Sequence, residues 1–145
     1  MKVKNTFKNM LPILLCFLTL LHPSLGDTPL EKKMDQMKKA YKELSKSLEN
    51  PNEKEKAKYE KLAIKLRDLM KDSEKLSPEK TNTIPAEKRA AFIAGYQQAI
   101  QQSVTTLNSL ILAIQSSQWT EAKQLISTLK SQQKEGHKEY RSEHP

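Results

Sequence analysis

The sequence predicts an all-α domain: an antiparallel up-down-up-down four-helix bundle behind a cleavable leader. Three observations carry this reading. Apolar residues recur at spacings of three and four in four separate stretches, which gathers each set on one helix face. The chain has 3 glycines and no stretch that alternates with a period of two, so strands are not expected. Two short turns and one moderate loop join the stretches, and short connections make sequential helices antiparallel neighbours.

Residues 1–26 have the features of a secretory signal peptide. Lys2, Lys4 and Lys8 form a basic start, Met10 to Leu21 is an apolar run, and Ser24-Leu25-Gly26 supplies small residues before a cleavage point. The run is shorter than the roughly 20 residues that a membrane-crossing helix needs. Leu15 stands where a lipoprotein signal places a small residue before its cysteine. The expected mature domain, 27–145, has 119 residues, enough for one core, and no stable membrane anchor after cleavage. The leader takes 3 of the 25 basic residues and no acid, leaving 22 against 17, a net charge of +5. That excess suits a soluble protein with an acidic partner; interleaved with acids along every helix, it does not favour nucleic acid. Cys16, the one cysteine, lies in the leader, so the mature part has no disulfide, thiolate metal site or C-x-x-C-H attachment motif.

The first helix begins at Thr28-Pro29-Leu30-Glu31, where threonine as cap, proline in the first turn and glutamate three residues on form a capping box. Leu30, Met34, Met37, Tyr41, Leu44 and Leu48 share its inner face, and Asn50-Pro51-Asn52 ends it. The second helix opens with Glu53 and Glu55, acids that suit a positive helix N-terminus, and buries Tyr59, Leu62, Leu66 and Leu69 beside Ala63 and Met70. Residues 77–85, with two prolines and several turn formers, read as a loop. The third helix starts near Pro85-Ala86-Glu87 and carries Phe92, Tyr96, Ile100, Val104, Leu107, Ile111 and Ile114. After a turn at 115–118 the fourth carries Trp119, Ala122, Ile126 and Leu129, and residues 142–145 form a loose tail.

Alternating helix directions bring Met34, Leu69 with Met70, Phe92 with Tyr96, and His137 to one end. There the fourth stripe continues as Gln133, His137 and Tyr140, so large aliphatics stop two turns early, whereas a self-closing core keeps its seam filled. A thioether from Met34 and an imidazole from His137 across an apolar space can supply both axial ligands to a haem iron. Phe92 and Tyr96, four apart on one face, can pack on the flat macrocycle, and Arg141 can meet a propionate. Each residue also has a plainer reading. Methionine at helical spacing is usually core filler, and a histidine in a last turn usually faces the helix dipole. Only their meeting at one end favours the pair. His22 leaves with the leader and His144 reads as solvated tail.

These residues resemble the soluble cytochrome b562 family. Leu30-Glu31-Lys32-Lys33-Met34 is similar to the family's opening, whose methionine ligates haem, and His137-Lys138-Glu139-Tyr140-Arg141 to its closing H-x-x-Y-R, whose histidine is the other ligand. Phe92 to Tyr96 (FIAGY) is similar to F-x-x-G-F, where the aromatics line the haem, and Glu121-Ala122 before Leu129-Lys130 falls at a matching distance from the histidine. The resemblance spans the expected mature chain and implies one non-covalent haem b per chain and electron transfer in the periplasm. Two positions depart from the pattern. Gly136 replaces an aromatic and weakens the helix by about 1 kcal/mol relative to alanine; Gln133 replaces an arginine, removing a charge near the haem.

The expected function is therefore a monomeric electron carrier whose unidentified redox partner has an acidic surface. The alternative is a haem-free periplasmic helical bundle that acts as a binding protein or stress adaptor. An enzyme is not expected, since no acid pair, nucleophile with its base, or glycine-rich phosphate loop stands out.

Overall fold

Each helix of the bundle begins or ends where the local chemistry requires. The computed structural model describes residues 28–142, so the leader expected at 1–26 lies outside the described residues. Helix α1 spans Pro29–Ser47. Thr28 caps it reciprocally: its Oγ1 accepts from the Glu31 N–H at 3.2 Å, and its own N–H donates to Glu31 Oε2 at 2.7 Å. Two donors that a helix start leaves unpaired are thereby satisfied.

Helix α2 spans Lys56–Ser73, three residues later than the acids at Glu53 and Glu55 suggest. Glu53–Glu55 instead forms a 3-10 turn, because Asn52 Oδ1 accepts from the Lys54 N–H at 3.0 Å and tightens the backbone. Tyr59, in the first turn of α2, clamps this entry: its hydroxyl donates to Glu55 Oε2 and accepts from the Asn52 N–H. The expected loop at 77–85 also holds a 3-10 turn, Glu79–Thr83, with Pro78 as its cap. Its proline presets the backbone, and the Thr81 N–H closes the turn on the Pro78 carbonyl at 3.0 Å.

Helices α3 (Ala86–Gln115) and α4 (Trp119–Tyr140) meet at a tight corner. The Ser117 N–H donates to the Ile114 carbonyl and the Gln118 N–H to the Ala113 carbonyl, the paired bonds of a Schellman cap. Such a cap needs a left-handed residue, and Ser117 takes it with φ 55°, the one non-glycine among the described residues to do so.

Leu44, Leu48, Tyr59, Ala63, Leu107, Leu110, Ile114 and Ala122 are almost wholly buried, so the tightest part of the core lies toward the α3–α4 corner. The stripes hold with one shift on α3, where Ser103 is buried and Val104 half-buried, and Leu110 joins the core. Helix α1 packs along α2, α2 along α3, and α3 along α4. The pair α1 and α4 makes no comparably close approach. A hydrogen bond from the Tyr41 hydroxyl on α1 to the Ile126 carbonyl on α4, 3.2 Å, spans that seam near its middle. Among the described residues there is no strand, and no helix is long and apolar enough to cross a membrane.

Ser117 offers a test of this corner. Its Oγ donates to Glu53 Oε1 at 2.7 Å and accepts from Lys56 Nζ at 3.1 Å, but these contacts lie at the surface and contribute little. Relief of the left-handed strain is worth about 1 kcal/mol. Ser117→Gly is therefore expected to raise the urea midpoint; a lowered midpoint means the contacts to Glu53 and Lys56 outweigh the strain.

Candidate functional site

The open seam ends in a cavity of ≈ 560 Å³ between α1 and α4. Its existence follows from what α4 lacks. After Leu129 no α4 residue is buried, and Gln132, Gln133, Gly136 and His137 form the wall instead. Gly136 contributes no side chain, and a Cβ built there meets nothing within 4 Å. Leu30, Met37, Leu66, Met70, Ile100 and Leu129 supply the apolar lining from all four helices. The volume falls within the roughly 300–1,000 Å³ of cofactor and ligand pockets.

Met34 and His137 both line this cavity, one from the half-buried inner face of α1 and the other from the last turns of α4. His137 is exposed over much of its surface, yet enough protein surrounds the ring to hold its pKa below the usual 6.5; burial is the main cause and the Arg141 charge the second. The imidazole is thus kept neutral, with a lone pair free for a metal. Arg141 lines the same cavity and is exposed.

The two predicted aromatics separate. Tyr96 is buried, lines the cavity and donates its hydroxyl to the Ser73 carbonyl at 2.8 Å, which fixes the ring between α2 and α3. Burial raises its pKa, so it stays a neutral donor. Phe92, expected on a macrocycle face, does not line the cavity. It packs edge-on against Tyr140, with ring centroids 5.2 Å apart, and Tyr140 in turn lies 5.6 Å from Tyr96. The recess at Gly95 admits Tyr140: a Cβ there would come 2.9 Å from the Tyr140 hydroxyl, so any side chain at 95 would make that ring shift away from α3. Phe92, Gly95 and Tyr96 share one helix face and together form a seat for Tyr140.

Sequence reasoning gave Tyr140 only a place on the stripe and missed its part in the wall. The signal was present in Phe92-x-x-Gly95-Tyr96, where a glycine between two aromatics on a helix marks a close approach. Tyr41 and Gln132 were also missed. Gln132 Nε2 donates to Thr106 Oγ1 at 3.1 Å, while its buried Oε1 has no partner, an acceptor left over in the cavity wall.

The donor set discriminates among metals. Among the described residues no group of three or more His, Cys, Asp or Glu side chains can hold a bare ion. One imidazole and one thioether are too few for an ion that needs its whole shell from protein, but they match the axial positions of an iron already held by a macrocycle. An apolar cavity with two such donors fits haem.

The lowered His137 pKa fixes the sign of a pH effect. In the ligand-free chain the unfolded state takes up this proton more readily than the folded one. Stability from this group is present above about 6.5 and is lost as pH falls toward the folded value. The lowered carboxyls of Asp72, beside Lys33, and Glu53, beside Lys56 and Ser117, act only in the lower carboxylate range. An NMR titration is expected to place the His137 midpoint below 6.5; a midpoint above that value contradicts the desolvated setting.

Comparison with known proteins adds one finding. The cytochrome b562 family model matches residues 29–141, from the first residue of α1 to the residue after α4. No curated protein and no solved structure gives a match. The match covers most of the chain and all four helices of the bundle, and the chain belongs to the cytochrome b562 family.

Proposed function

We propose that this chain is an exported electron carrier that holds one haem b non-covalently, with Met34 and His137 as the two axial ligands. Membership of a family of haem-binding electron-transfer cytochromes supports the general activity. One observation carries the specific reading: the thioether and the imidazole, far apart in sequence, line a single apolar cavity at the end of the α1–α4 seam. When bound, the haem supplies a one-electron change between ferric and ferrous iron.

The chain's residues do the rest. His137, neutral at physiological pH, offers its ring nitrogen, and Met34 offers a soft sulfur that favours the reduced state. Met34 and His137 would hold the group from both sides and leave its iron no free position for a substrate, which favours a carrier over an enzyme. Tyr96, held by Ser73, gives a fixed aromatic wall, and Tyr140 braces the end of α4 against α3. Phe92 acts from behind that ring, as a positioning residue. Arg141 at the rim is placed to meet a propionate. Surface lysines steer an acidic redox partner, and the carrier works as a monomer in the periplasm, with residues 1–26 as its export signal.

Reduced-minus-oxidised visible spectra test the ligand pair. Wild type is expected to show sharp low-spin bands, and Met34→Ala and His137→Ala are each expected to lose them at matched haem content. A variant that keeps the wild-type spectrum is not missing a ligand; Met37 or Met70 then becomes the sulfur donor. A colourless protein from haem-replete cells contradicts the whole reading. Acid is expected to release His137 only below about 6.5, because protonation of the imidazole competes with the iron and the folded chain resists it.

A further inference from the structure

The charges at the cavity mouth are uneven. Glu31 and Asp35 on α1 and Glu79 before α3 line it, and all three are acidic. Against them stand two cations on opposite walls, Lys38 of α1 and Arg141 just past α4. Three lysines elsewhere are held in ion pairs: Lys33 with Asp72, Lys56 with Glu53 and Lys58 with Glu43. Lys38 is exposed and has no ion pair or side-chain hydrogen bond, although Asp35 stands one turn before it on the same helix. Arg141 likewise bonds only through its backbone N–H, to the His137 carbonyl. A long cation free of partners at the mouth of an apolar cavity suits a ligand with an apolar body and an acidic edge.

We infer that Lys38 is a second carboxylate-binding residue of this site, and that Lys38 and Arg141 clamp the two propionates of the bound porphyrin from opposite sides of the α1–α4 seam. The inference deepens the haem reading and rests on it. The clamp also bridges α1 and α4, which lack the close packing of the sequential helix pairs, so ligand binding draws them together along the seam that the Tyr41 hydrogen bond spans. Asp35 and Glu79 give the clamp its selectivity. With either cation removed, the mouth repels a carboxylate, whereas an uncharged ligand of the same shape is indifferent to the change.

Metal-free protoporphyrin IX separates this idea from axial ligation, because it carries both carboxylates and needs neither Met34 nor His137. Its binding, and that of its dimethyl ester, is read by fluorescence titration of the full mature chain. Lys38→Met and Arg141→Met are each expected to weaken the free acid by about threefold to tenfold and to leave the ester within error. Lys38→Arg is expected to restore free-acid binding, and salt is expected to shrink the difference between wild type and Lys38→Met. Circular dichroism melts of the ligand-free variants should match wild type, since Lys38 makes no contact that supports the fold. The inference is overturned if Lys38→Met binds the free acid as wild type does, if acid and ester weaken together, or if wild type binds neither. Loss of the Met34 and His137 spectral effects with the acid-to-ester difference intact would sink the axial assignment and leave the clamp standing.

Discussion

The constraint on which the structure depends is that α4 runs out of aliphatic side chains before it runs out of length. From Trp119 to Leu129 it fills its share of the core through Ala122, Ile126 and Leu129. Beyond Leu129 it continues for two more turns and more with Gln132, Gln133, Gly136 and His137, none of which can pack as a leucine would. Helix α1 keeps its apolar face over the same stretch, with Leu30, Met34 and Met37. A dry seam cannot form between a complete face and an incomplete one, so the two helices stay apart there and the cavity is the space between them.

That space persists because both of its ends are tied in place. The start of α1 is held by the reciprocal cap between Thr28 and Glu31, less than two turns from Met34. The end of α4 has no comparable cap but is pinned twice: Tyr140 sits against Gly95 between Phe92 and Tyr96, and Lys80 Nζ donates to the Glu139 carbonyl at 2.6 Å. The second tie explains why residues 77–85 are more than a connection. Their 3-10 turn places Lys80 under the last turn of α4 and Pro78 and Glu79 against the cavity. Gly136, with open space around it, sits between these ties and His137, so the imidazole is held by its neighbours and not by tight packing of its own turn.

Much of this was legible in the residues. The cap at Thr28, the four stripes, the corner at 115–118 and the failure of the α4 stripe all follow from spacing and composition, because helix periodicity and capping are local properties. The meeting of Met34 and His137 at one cavity also followed, once alternating helix directions were assumed. What stayed hidden depended on contacts between distant segments. Glu53–Glu55 looks helical from its charges, yet Asn52 and Tyr59 shape it into a tighter turn. Phe92 looks like a cavity residue from its spacing to Tyr96, yet the recess at Gly95 draws Tyr140 over it. Ser117 carries no sign of a left-handed backbone, a conformation usually marked by glycine or asparagine. The unpaired state of Lys38 is invisible in a chain where lysines and acids alternate almost everywhere.

The central claim is that one sulfur and one imidazole from opposite ends of the chain meet at a single iron. X-ray absorption at the iron edge reads that shell directly, without relying on colour. The haem-loaded protein is predicted to show one sulfur scatterer with the nitrogens, and the same preparation of Met34→Ala to show none. An iron shell of nitrogen and oxygen alone in the wild-type protein, or a sulfur that survives the loss of Met34, would contradict the account.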